Sequence, residues 1–188
     1  IPLRLVGSEM CIRDRISQVS QLHFAPTQRS HDNLQASAVV GRVMVTGNTV
    51  IDALLRMAKQ APSLDDLPID WAHQKVILAT VHRRENWGER LKSIAAGMRL
   101  VIESHPDTVL LLPLHRNPTV REPLQALLGD HPRVVLTEPL DYDRLVAAMK
   151  GCTLLLTDSG GLQEEAPALG KPVLVLRRTT ERPEAVDA

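Results

Sequence analysis

The richest chemistry in the chain is concentrated in Thr157-Asp158-Ser159-Gly160-Gly161-Leu162-Gln163-Glu164-Glu165, which continues directly from an aliphatic stretch of strand length. Gly160 and Gly161 let a ligand approach the backbone closely, and the free N–H groups of a helix start attract phosphate. Ser159 adds a hydroxyl donor. Glu165 falls about one turn into the helix that follows, where a carboxylate can accept hydrogen bonds from both hydroxyls of a ribose. The plainer reading is an ordinary strand-to-helix turn in which Ser159 or Asp158 caps the helix. Further along, Thr179-Thr180-Glu181-Arg182-Pro183-Glu184 carries Arg182, whose guanidinium can grip two phosphate oxygens at once. A surface ion pair with Glu181 or Glu184 is the alternative.

Two histidines follow the same logic. His82 ends an apolar run and is followed by Arg83, Arg84 and Glu85; His115 and Arg116 end another. A histidine so placed can donate to a phosphate or move a proton near neutral pH, although a lone histidine is more often structural.

These residues need a scaffold that brings them to one edge. Aliphatic runs at residues 75–81, 108–114, 133–137, 153–157 and 172–176 are strand-sized and apolar almost throughout, as parallel strands covered on both faces must be. Between them Leu91, Ile94, Ala95, Met98, Val101 and Ile102 fall on one helical stripe, and Leu145, Val146 and Met149 on another. Pro106, Pro132 and Pro172 punctuate the element ends. Repeated βα units predict a Rossmann-like, doubly wound parallel sheet of the α/β class. The loops holding His82, His115, Ser159 and Arg182 then converge on its C-terminal edge, where ligands of such sheets bind. Basic groups are sorted to that rim although 22 Lys and Arg balance 22 Asp and Glu overall. An anionic ligand follows.

Upstream, residues 22–25 and 39–45 read as strands and 30–35 as a helix. Asn48 or Thr49 opens a further helix through about Gln60, and residues 61–68 read as a linker or loop. Residues 1–48 are expected to be the tail of another domain, too short to hold a core of its own. The natural protein is accordingly expected to be longer.

Composition narrows the function classes. Two Trp, one Tyr and one Phe are too few for a base-stacking surface, and the balanced charge does not suit a nucleic-acid binder. Cys11 and Cys152 match no metal-ligand spacing. Cys152 abuts an aliphatic strand and reads as a small buried hydrophobe. No apolar run approaches the roughly 20 residues needed to cross a bilayer, and the first 15 residues do not form a signal-peptide pattern. A soluble, cytoplasmic chain is expected, consistent with the cysteine usage.

Taken together, the motifs resemble the non-hydrolysing UDP-N-acetylglucosamine 2-epimerases. The resemblance runs from His23-Phe-Ala-Pro-Thr through Val45-Thr-Gly-Asn-Thr-Val-Ile-Asp-Ala-Leu, His82-Arg-Arg-Glu-Asn and Asn117-Pro-Thr-Val-Arg-Glu-Pro. It continues through the long block from Thr157 to Val175 and ends in Thr179-Thr-Glu-Arg-Pro-Glu-Ala. It implies a GT-B architecture, with two Rossmann-like domains and a UDP-sugar in the cleft between them. Residues 1–48 would be the tail of the N-terminal domain and 49–188 a UDP-binding domain that stops at the expected start of a helix. The implied activity interconverts UDP-GlcNAc and UDP-ManNAc by eliminating UDP and adding it back, with no cofactor and no metal.

Carried over by motif, His82 is the active-site histidine near the phosphates. Ser159, Gly160 and Gly161 hold the diphosphate, Glu165 the ribose and Arg182 a phosphate, while the turn at Leu140 and nearby Leu145 face the uracil. Arg83 and His115 match contacts of a second, activating UDP-GlcNAc. A homodimer is implied as well. Other GT-B enzymes of UDP-sugars, such as glycosyltransferases and hydrolysing 2-epimerases, share the nucleotide domain; the blocks around Asp158 and Arg182 favour the non-hydrolysing kind. The family's catalytic carboxylates lie upstream of this stretch, and residues 1–15 depart from its pattern. Glu9 stands in the wrong context to replace them, so the chain alone is expected to hold UDP without epimerising it.

Overall fold

The computed structural model describes residue 12 and residues 14–179. Arg182, Glu181, Glu184, Glu9 and Cys11 lie outside the described residues. The chain divides into two compact units, with the boundary between Ala53 and Leu54.

The first unit holds α1 (14–19), β1 (Leu22–Ala25), α2 (Gln28–Ala36) and β2 (Arg42–Val45). The two strands pair in parallel, Leu22 opposite Arg42 and Ala25 opposite Val45. Thr27 caps α2 by accepting a hydrogen bond from the Ser30 N–H. β2 starts later than residue 39 because Gly41 sits at φ +98°, and a Cβ there would lie 2.5 Å from the Gln21 carbonyl oxygen. Only glycine fits that turn. α3 (Thr49–Lys59) follows, with Asn48 accepting from the Val50 N–H at 3.1 Å, and the boundary between the units falls inside it.

The second unit alternates β3 (Lys75–Thr80), a 3-10 turn (Arg84–Asn86), α4 (Glu89–Ser104), β4 (Thr108–Pro113), α5 (Pro118–Leu128) and β5 (Val134–Thr137). It goes on with α6 (Tyr142–Gly151), β6 (Leu154–Thr157), α7 (Leu162–Ala168) and β7 (Val173–Val175). The five strands form one parallel sheet in the order β5-β4-β3-β6-β7. Ile77, Ala79, Leu110 and Leu112 meet Leu91, Ala95, Met98 and Ile102 of α4 and Val120, Leu124 and Leu128 of α5. The alternate residues Val76, Leu78, Leu111 and Leu155 are equally buried, so both faces are covered and the expected α/β class holds.

One expectation shifts: Val101 is 39% exposed, because the buried track on α4 is the tighter 91-95-98-102 repeat. Residues 61–68 form a loop, as expected, and it is packed down: Leu64 is buried, and Arg144 pairs with Asp66 at 2.7 Å.

Two outcomes test this packing. Leu78→Ala, at a site with no exposed surface, should cost about 3 kcal/mol in urea unfolding. Burial pushes the Cys152 thiol up to about 11, with the Lys171 charge opposing, and Sγ donates to the Met149 carbonyl at 3.2 Å. Iodoacetamide should therefore leave Cys152 unmodified in the folded chain and label it in denaturant, as read by mass spectrometry.

Candidate functional site

The strand order reverses direction between β3 and β6: the chain leaves β3 towards β4 on one side and β6 towards β7 on the other. A crevice opens outside the carboxyl ends of two strands that part in this way. Thr80 and Thr157, the last residues of β3 and β6, are register partners with hydroxyls 2.6 Å apart. The residues that follow them form the crevice walls.

Asp158, the first residue beyond β6, has no exposed surface. Its carboxylate accepts from the peptide N–H groups of His82 (3.0 Å) and Arg83 (2.8 Å) and from Asn86 Nδ2 (2.9 Å). His82 Nδ1 lies 3.0 Å from its other oxygen. Burial pushes this carboxyl up, but the hydrogen bonds from His82, Arg83 and Asn86 outweigh burial and hold it below the ordinary range. Asn86 is fully buried, and its Nδ2 also donates to the Leu176 carbonyl at 3.1 Å. Asp158 is thus no helix cap. The N-cap position of α7 is Gly161, which has no side-chain cap, and the turn is braced by Gln163 donating to the Ser159 carbonyl at 3.1 Å.

A cavity of about 400 Å³ lies on this rim, lined by Thr80, His82, His115, Leu145, Ser159, Gly161 and Glu165, with Tyr142 and Leu162. The structure thereby brings together six residues singled out from the sequence. The His82 and His115 rings stack with centroids 6.0 Å apart and planes 21° apart. Glu165 is buried; its carboxyl is raised by burial, with a Tyr142 interaction lowering it and the Glu164 charge raising it further.

Other singled-out residues stand outside the lining. Leu140 is half-buried in the turn before α6, Gly160 is buried in its own turn, and Arg116 is exposed. Arg83 takes part through its backbone, and its Nε is buried without a hydrogen-bond partner. A second cavity of about 350 Å³, between residues 61–65, Trp71 and the end of α6, lies at the opposite sheet edge, away from these loops. Asp158, Asn86 and Tyr142 are the contributors that sequence reasoning missed. A signal existed for the first two, since Asn86 closes the His82-Arg-Arg-Glu-Asn segment and Asp158 stands beside Ser159.

The sheet order and its rim define a Rossmann-like domain, and the solved structures it resembles have the GT-B architecture. The chain belongs to the UDP-N-acetylglucosamine 2-epimerase family, whose model matches residues 8–188. The Escherichia coli K12 UDP-N-acetylglucosamine 2-epimerase is 44% identical over 185 residues, which is 94% of this chain and 49% of that protein. The Neisseria meningitidis UDP-GlcNAc 2-epimerase bound to UDP-GlcNAc is 46% identical with a TM-score of 0.86, covering 93% of this chain and 49% of that one. Staphylococcus aureus MnaA, in a co-structure with UDP, is 42% identical with a TM-score of 0.80, covering 93% and 47%. The chain therefore spans about half the length of the relatives it matches.

The raised Glu165 carboxyl has a consequence for stability. Its contribution is complete below the ordinary value of 4.5 and is lost as pH rises through the raised folded-state value. Glu165→Gln should raise the urea midpoint at neutral pH, and the gain should vanish in acid below that ordinary value.

Proposed function

We propose that this chain supplies the UDP-holding half of an enzyme that interconverts UDP-GlcNAc and UDP-ManNAc by eliminating UDP and adding it back. The observation that carries the reading is the cavity at the switch point, where His82, Ser159, Gly161, Glu165 and Leu145 share one wall-to-wall space in a chain of this family. Elimination makes UDP a leaving group that must be held for its return, so preorganised donors to the diphosphate are central.

In this reading Ser159, Gly160 and Gly161 face the diphosphate and Arg182 grips a phosphate. Glu165 takes the ribose hydroxyls, Leu140 and Leu145 flank the uracil, and His82 serves the reacting end. Arg83 and His115 contact a second UDP-GlcNAc. The carboxylates that move the sugar's C2 proton belong to the N-terminal domain, of which residues 1–48 are the tail. The whole enzyme works in the cytoplasm as a homodimer, and the route is redox-neutral and uses no cofactor. Its relatives' bound ligands support the substrate class: UDP-GlcNAc in the Neisseria meningitidis protein and UDP in the Staphylococcus aureus one.

Calorimetry on the chain tests this directly. UDP should bind and uridine should not, because the diphosphate carries most of the recognition. Arg182→Ala should weaken UDP binding by roughly 10- to 100-fold, the loss of one or more charge-assisted hydrogen bonds. A folded sample that ignores UDP would falsify the reading.

A further inference from the structure

The family's site explains why His82 faces the cavity but leaves open what decides which of its two nitrogens carries the proton. The geometry points to Asp158: we infer that it is a positioning residue which fixes His82 as the Nδ1–H tautomer and turns a bare Nε2 towards the cavity. The inference rests, for the identity of the anion, on the reading of that cavity as a UDP site.

Asp158 is wholly buried, and four donor groups surround it: two peptide N–H groups, the Asn86 amide and the His82 ring. An ionised carboxylate only accepts hydrogen bonds, so an Nδ1 3.0 Å away must carry a hydrogen. Neutral imidazole has a single ring N–H, which leaves Nε2 as a lone pair on the opposite edge. That edge belongs to a ring whose side chain is 38% exposed and lines the cavity, whereas its carboxylate partner has no exposure. A proton taken up from solvent therefore enters at Nε2, and the resulting imidazolium donates there to an anionic oxygen. The other titratable groups around the ring are His115, stacked on it, and Glu165 and Tyr142, which line the same cavity; Arg83 is its chain neighbour.

Asn86 completes the device. Its amide donates to Asp158 and to the Leu176 carbonyl, which ties the carboxylate to a buried anchor beside the ring. An asparagine at position 158 would keep its oxygen on the peptide N–H groups and present its NH₂ to Nδ1. That reverses the demand on the ring and selects the Nε2–H tautomer.

The test is a long-range ¹H–¹⁵N correlation of the ¹⁵N-histidine-labelled chain, with His82 assigned by its loss in His82→Gln. It is recorded about two units above the ordinary histidine value of roughly 6.5. The expected result is an Nδ1–H ring in the unliganded chain and an Nε2–H ring in Asp158→Asn, with UDP binding to that variant weakened roughly tenfold. An Nε2–H ring in the unsubstituted chain overturns the inference, and that measurement stands whether or not the variant folds. A folded variant that keeps the Nδ1–H ring overturns it as well. An Nδ1–H ring in a chain that does not bind UDP upholds the role of Asp158 and rejects the nucleotide reading of the cavity instead.

Discussion

A carboxylate with no exposed surface sits where β3 and β6 part, and the rim is organised around it. Burying an unpaired charge costs several kcal/mol, so the fold must surround Asp158 with donors or lose it. It does so by wrapping the segment after β3 over the end of β6, which sets the course of residues 82–86. Asn86 then reaches on to Leu176, so the segments after β3, β6 and β7 share one anchor. The cavity walls are thus held by a network that involves no ligand.

Two buried acids on this rim behave in opposite ways, and the difference is one of donors. Asp158 has a full set, and they hold its carboxyl down in spite of burial. Glu165 has the Tyr142 interaction against burial and a neighbouring Glu164, and its carboxyl rises; Oε2 is buried without a hydrogen-bond partner. The first acid is satisfied by donors within the protein. The second is left with one oxygen wanting a donor.

Much of this was readable from residue order alone. Five aliphatic runs became five parallel strands because each is apolar on both faces, and their ends differ from the expected ones by one residue at most. That regularity is what placed His82, His115 and Ser159 on one edge. The part that was hidden is long-range. Asp158 reads as a helix cap because local spacing suggests one, whereas its true partners lie 72 to 76 positions away across the sheet. Tyr142 gives no local signal either, since its proximity to Glu165 arises only when α6 and α7 meet at the rim. Gln163, nearly fully buried, likewise carries no local signal of its role, which is to brace the turn by donating to the Ser159 carbonyl.

The strand order also sets the sequence in which the molecule can be assembled during synthesis. β3 is the middle strand, and its β4 edge is covered within a short stretch of chain. Its other edge waits for β6, since Thr80 meets Thr157 only 77 positions later, and Asn86 waits 90 positions for Leu176. At about 5–20 residues per second of translation, that is an interval of roughly 4–18 seconds. For that time a nascent chain presents the unpaired backbone N–H and C=O groups along one edge of its central strand, so the rim is completed late.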